Sequence, residues 1–254
     1  MDQFLARLNN FAYEILGIFV PGAILLLFLT ITWWNFGSMS ELWSLGVVPE
    51  ARFEAASGLL GLLNADLRMG MLIALLVAAY FLGHLLHWSA RKGRSVDAIG
   101  GGRRVLESLS FRIPKPKSSY DSKLEGVLNG VKSFLGLEPD AQWRQFYPIA
   151  KAYLAANLQT SLASTYQNKY TLHRSITAAA AIWFWLSIIG LAGGALTSWF
   201  LAGSPRWVPL AFSAITSLVL VSGFSDSYRY NWKLWGDTLI SECHMIFVCE
   251  RPKP

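Results

Sequence analysis

The stretch SITAAAAIWFWLSIIGLAGGALTSWFLAGSP, residues Ser175–Pro205, runs 31 residues without an Asp, Glu, Lys or Arg. A helix rises ~1.5 Å per residue, so roughly 20 apolar residues cross the hydrocarbon of a bilayer. In hydrocarbon each backbone N–H and C=O must be satisfied within the segment, which makes this stretch a helix. Ala178–Ala181 at its start, then Gly190, Gly193 and Gly194, are small residues that let neighbouring helices approach closely.

Three further windows lack charge: Ile15–Ser40 with 26 residues, Met69–Ala90 with 22 and Trp207–Ser225 with 19. A soluble protein can bury one such helix, but four in 254 residues leave it little polar surface. Composition agrees, since 15% of residues are charged against about 25% in soluble domains. The expected fold is all-α: a polytopic membrane protein with four transmembrane helices and a helical cytosolic domain inserted between the second and third. The parts are a first transmembrane pair with its outer loop (1–88), a basic cytosolic domain (89–174), a second pair (175–225) and a cytosolic tail (226–254).

Orientation follows from the basic residues. Ser89–Arg174 carries 14 Lys or Arg against 6 Asp or Glu, whereas Asn35–Leu67 has Arg52 alone against Glu41, Glu50, Glu54 and Asp66. Lys and Arg concentrate in cytoplasmic loops, so the middle segment and both termini are expected in the cytosol. That is the orientation expected of a multi-pass protein whose polar segments face the cytosol. The first apolar stretch is too long for a cleavable signal peptide. Cys243 and Cys249 make no disulfide framework and read as reduced thiols.

Along the chain, Pro21-Gly22 interrupts the first crossing, either as a packing kink or as a hinge. Pro49-Glu50 followed by Phe53, Ala56, Leu60 and Leu63 predicts a short outer helix. His84 and His87, three residues apart, share a helix face, and sit as interfacial histidines rather than half of a metal site. Leu124, Leu128, Val131 and Leu135 form an amphipathic stripe. Pro139 and Pro148 are expected to break the chain on either side of residues 142–147. From Ile149, Ala152, Ala155, Gln159, Leu162, Tyr166, Tyr170 and His173 recur at steps of three or four. No Pro or Gly intervenes before Gly190, so one rod is expected from Ile149 into the third crossing. Ser213, Thr216 and Ser217 in the fourth crossing either bond backbone and neighbouring helices or line a wet path. The apolar run Met245–Val248 calls for a partner in the cytosolic domain or a second subunit.

Catalytic patterns are missing: GxSxG, HExxH and CxxC do not occur, and no charged residue lies within a crossing. Neither an enzyme nor a cofactor is expected. The basic segment is the remaining place for a ligand. Arg91 and Lys92, then Arg103 and Arg104 after a glycine triplet, then Arg112, Lys115 and Lys117, present forks and point charges suited to phosphate. Positive-inside bias and anionic lipid headgroups explain the same charge without a ligand.

Three stretches together carry a resemblance: Phe19-Val20-Pro21-Gly22, Tyr80-Phe81-Leu82-Gly83-His84, and Tyr166-Gln167-Asn168-Lys169-Tyr170-Thr171-Leu172-His173-Arg174. They resemble small four-helix membrane effectors of bacterial antiphage defence operons, the Hailong-type effector foremost. The resemblance implies a tetrameric channel, controlled by a short oligonucleotide that a nucleotidyltransferase partner makes. Opening the channel would depolarise the infected cell. The expected function is thus an oligomeric, ligand-gated pore in the bilayer, with a short anionic oligonucleotide or nucleotide on the basic segment. Pro21, Gly22, Gly190, Gly193, Gly194, Ser213, Thr216 and Ser217 would be its hinge and pore positions. A non-conducting anchor or sensor that recruits a soluble partner enzyme is the competing reading.

Overall fold

The computed structural model describes residues 11, 14–37, 65–90, 105, 107–111, 119–158, 161–201 and 207–250. Among these residues every element is helical and there is no strand. A π-helical turn, Ile15–Phe19, leads into α1, Val20–Gly37. Helix α2 spans Ala65–Ala90. A 3-10 turn, Ser122–Leu124, precedes α3, Glu125–Phe134, and α4 covers Trp143–Asn157. Two long helices complete the chain, α5 over Leu162–Leu201 and α6 over Trp207–Glu250. Among the described residues four helices are long and apolar enough to cross a membrane, one at each uncharged window, the last two reaching well beyond theirs. The predicted outer helix at 49–63 lies outside the described residues.

The π turn has a covalent cause. Pro21 has no N–H to give the Gly17 carbonyl, so a regular α pattern cannot continue there. The Val20 N–H bonds the Ile15 carbonyl instead, five residues back. Pro21 and Gly22 are buried, and this bend is where the first helix meets α2. A methyl on Gly22 would overlap the Ala79 carbonyl oxygen, and one on Gly83 would overlap the Ile18 carbonyl oxygen. The two helices therefore cross backbone to backbone, antiparallel, with both glycines obligatory at the crossing.

Helix α5 is the centre of the bundle. Eight successive residues, Arg174 to Ala181, are all buried. At 100° per residue they point in every direction, so α5 is walled on all sides by the π turn, α1, α2 and α6. Ala178–Ala181 suit that position because only small side chains fit between backbones on every side. Phe28 of α1 stacks on Trp183 at 4.2 Å, which fixes α1 against α5.

The outward surface is apolar. On α2, Leu72, Ile73, Leu75, Leu76, Phe81 and Leu85 are exposed; on α6, Val208, Phe212, Ile215 and Val219 recur at steps of three or four. Exposed apolar side chains in such density are costly in water and natural against lipid chains.

Helices α5 and α6 have 40 and 44 residues, about 60 and 66 Å, roughly twice the hydrocarbon thickness. They pack antiparallel, with His173 against Phe224 and Ser161 against Glu242. The divisions at 174/175 and 225/226 thus fall inside unbroken helices. Within the segment 226–254, Asp226–Glu250 is the distal half of α6, with Tyr228, Trp235, Leu239, Ile240 and Cys243 forming a fully or almost fully buried stripe. Around it sit α3, α4 and the first turns of α5. Phe134 of α3 meets Phe247 at 4.8 Å, so this module covers part of the apolar run near the C-terminus.

Two expectations need correction. The rod does not begin at Ile149: α4 closes at Asn157, Leu158 is extended at φ −119° and ψ 129°, and α5 begins at Leu162. The cause is competition from caps. Asn157 bonds back to the Tyr153 carbonyl, and Ser161, a favoured N-cap residue, receives the Ser164 N–H and returns its own carbonyl to the Ser164 hydroxyl. The buried face of α4 is accordingly Phe146, Ala150 and Leu154, while Ala152 and Ala155 are exposed. Nor does Pro148 break the chain; it lies inside α4. The Gln145 side chain accepts the Gln142 N–H, starting the helix one turn earlier than Pro148, where the remaining bonds hold it.

Candidate functional site

The chemistry-bearing residues converge where the apolar bundle meets its polar end. Tyr170 of α5 sits at the middle of an aromatic cluster, with ring centroids 5.0 Å from Trp232, 5.5 Å from Trp235 and 6.2 Å from Tyr228, all on α6. Trp235 also takes Trp143 at 5.9 Å and Tyr147 at 5.7 Å, which brings in α4. Such pairs contribute about 0.5–1.5 kcal/mol each beyond area burial, so the cluster welds three helices into one unit.

A strap crosses the same face. The Trp232 indole N–H bonds the Ser119 hydroxyl at 3.1 Å, the Asp121 N–H bonds Asp237 at 2.6 Å, and Lys233 pairs with Asp121 at 3.0 Å. A methyl on Gly236 would overlap the Ser119 carbonyl oxygen, so the strap lies directly on α6. The Lys123 N–H first, and the Lys233 ammonium after it, hold the Asp121 carboxyl below its ordinary range.

One carboxylate ties the two long helices at their far end. Glu242 of α6 is buried and accepts the Ser161 hydroxyl at 2.6 Å, the Leu162 N–H at 2.7 Å and the Ala163 N–H at 3.4 Å. The first N–H groups of a helix have no partners within it, and a negative charge there is favoured by the helix dipole. An acid from α6 thus caps α5 across 80 residues of sequence.

One level nearer the bundle centre, Arg174 of α5 is 6% exposed. Its Nη2 lies 3.4 Å from Nδ1 of His87 on α2, and its Nε has no partner. Arg donates only, so His87 must present a bare Nδ1 lone pair to receive it. His84, by contrast, is exposed and packs edge-on to Tyr80. The two histidines therefore do not share a site. A second inserted group lies close by: the turn Glu107–Phe111 places Ser108 3.2 Å from Ser225 of α6, and the Leu109 carbonyl accepts the Trp185 indole N–H at 2.8 Å.

The hinge and pore positions separate. Pro21 and Gly22 are at the π turn. Gly190 is buried, whereas a methyl on Gly193 would meet nothing within 4 Å; the side of α5 at Gly194 is not described. Ser213 and Ser217 are buried within the subunit and Thr216 is half-buried. Ser217 donates to the Ala214 carbonyl at 2.8 Å, and Thr177 and Ser187 bond back to carbonyls four residues earlier. Arg91, Lys92, Arg103, Arg104, Arg112, Lys115 and Lys117 all lie outside the described residues, so no arrangement is assigned to them. Among the described residues there is no grouping of three or more His, Cys, Asp or Glu.

The sequence reading overlooked Glu242 and Arg174. Arg174 stood in plain view as the last charge before the longest apolar window. Glu242 gives no local signal, because its partners are 79 to 81 residues away. No family model matches this chain, and no match exists among the curated proteins or the solved structures.

Proposed function

We propose that this protein is an oligomeric membrane effector: a ligand-controlled ion-conducting assembly whose polar end senses an anionic nucleotide or short oligonucleotide. One observation carries the reading. Both α5 and α6 run unbroken from the polar module into the bundle, and the Glu242 cap and the aromatic cluster bind the module to them. A ligand that binds one state of the module better than another therefore acts directly on two membrane helices. The defence setting, the tetramer and the nucleotidyltransferase partner rest on the sequence resemblance alone. The cytosolic side of the polar module and both termini in the cytosol rest on the charge asymmetry, and the bacterial inner membrane rests on the resemblance.

A specific observation favours a second reading, a non-conducting anchor or sensor that recruits a soluble enzyme. Arg174 to Ala181 are enclosed on all sides, and the hydroxyls of Thr177, Ser187 and Ser217 are spent on backbone carbonyls. Any path would then have to run between subunits and not along α5 at that level. The deciding experiment is conductance of the purified protein in liposomes, with and without nucleotides and short oligonucleotides. Conduction that appears with ligand and is lost in R103E/R104E, with assembly intact, supports the channel. No conduction under any ligand, together with unchanged membrane potential on overexpression, leaves the anchor.

A further inference from the structure

A buried guanidinium without a carboxylate is an expensive arrangement. Removing an ion from water costs several kcal/mol, roughly speaking, unless charge and hydrogen bonds compensate it. Among the described residues no carboxylate pairs with Arg174, and its one hydrogen bond there, to His87 Nδ1, is long at 3.4 Å and goes to a neutral acceptor. The Nε–H is buried and unused.

The same deficit appears across the helix interface. Tyr228 of α6 is fully buried, and its hydroxyl has no partner. Tyr170 and Arg174 are four residues apart and so share one face of α5, and Tyr170 meets Tyr228 edge-on. Two idle donors, one of them cationic, thus converge from α5 and α6, with α2 closing the side through His87. Among the described residues neither the Arg174 Nε–H nor the Tyr228 hydroxyl has an acceptor oxygen, and no carboxylate is bonded to the guanidinium. A bound oxyanion would supply both.

We propose that Arg174, Tyr228 and His87 form a binding site for a phosphate-type oxyanion inside the subunit, where the bundle meets its polar end. The planar guanidinium edge donates Nε–H and Nη–H to one oxygen pair, as it does to phosphate elsewhere, and the phenol donates to a third oxygen. His87 holds the other edge of the guanidinium in plane. Arg174 stands at the foot of the uncharged window, the depth at which phospholipid headgroups sit, so the phosphate comes either from a lipid or from free anion. The site is independent of conduction, and a protein that passes no ions still shows it.

The test is thermal unfolding of the whole purified protein in a neutral detergent. One arm titrates inorganic phosphate against sodium chloride of equal ionic strength. The other adds phosphatidylglycerol without phosphate. A saturable rise of the midpoint is expected in at least one arm. Free phosphate alone raising it assigns the site to a soluble anion; phosphatidylglycerol alone raising it assigns the site to a headgroup. R174Q weakens the response about thirtyfold or more, as loss of a buried charged partner does. Tyr228→Phe keeps the shape and weakens it about fivefold, the worth of one hydrogen bond. If R174Q does not fold, R174K retains the charge without the fork and weakens the response about tenfold, as loss of the second bond of the pair predicts. No rise in either arm overturns the proposal, and so does a wild-type response in both R174K and Tyr228→Phe.

Discussion

Replacing Glu242 tests whether the two long helices are held at their far end by a single side chain. Glu242→Ala leaves the Leu162 N–H and the Ser161 hydroxyl, now 2.7 and 2.6 Å from carboxylate oxygens, without a partner. A hydrogen bond to a charged group contributes about 1.5–3 kcal/mol, and a buried donor left unmade costs about 1–3. Helix-dipole stabilisation by the carboxylate adds about 0.3–1. These contributions overlap, so the expected loss is about 2–4 kcal/mol for alanine. Glu242→Gln keeps an acceptor for Leu162 and loses the charge, for about 1–2. Equilibrium unfolding in mixed micelles measures the total. Amide hydrogen exchange at Leu162 and Ala163 measures the place, because the first turn of α5 frays when its cap is gone. An alanine variant within about 0.5 kcal/mol of wild type, the scatter of surface substitutions, with unchanged exchange at those two amides, would refute the clamp.

Gly83→Ala drives a methyl into the Ile18 carbonyl, where backbone and not a flexible side chain must yield, and should destabilise by about 3 kcal/mol or more. Gly70→Ala, where a methyl meets open space, is the matched control and should gain up to about 1 kcal/mol from helix propensity; thermal unfolding of the two side by side checks this. Burial first, and the Glu242 charge second, push the Cys243 thiol up to about 12, so at pH 7–8 a maleimide should label exposed Cys249 and spare Cys243 until the protein is denatured. Labelling of both thiols at equal rates in the folded protein would contradict the packing of α6 on α4. Reporter fusions after Gly58 and after Ser118 should report opposite sides of the membrane, and the same side for both would end the four-crossing arrangement.

The membrane helices were legible because a single physical requirement, about 20 uncharged residues in a row, marks them irrespective of partners. Their true ends were not. Beyond Ser225 the chain turns polar and aromatic, so Asp226–Glu250 reads as a tail, although Tyr228, Trp235, Leu239 and Cys243 already keep helical spacing. Their burial depends on α3, α4 and α5 arriving from elsewhere in the chain. The break between α4 and α5 carried a fair local signal, Asn157 and Ser161, which the absence of Pro and Gly outweighed. Glu242 and Arg174 belong to neither class: their meaning lies wholly in what α5, α6 and α2 place beside them.

The enclosed stretch from Arg174 to Ala181 also sets how α5 is able to move. A helix gripped on every side does not slide or spin without unpacking all its neighbours, since a packed core has discrete arrangements. It can tilt with the bundle as a body about that grip, as an oar turns in its rowlock. The inboard arm, Leu162 to Arg174, is ~20 Å long, so a tilt of about 10° carries its tip ~3 Å. Glu242, fastened to that tip, hands the same displacement to the far end of α6.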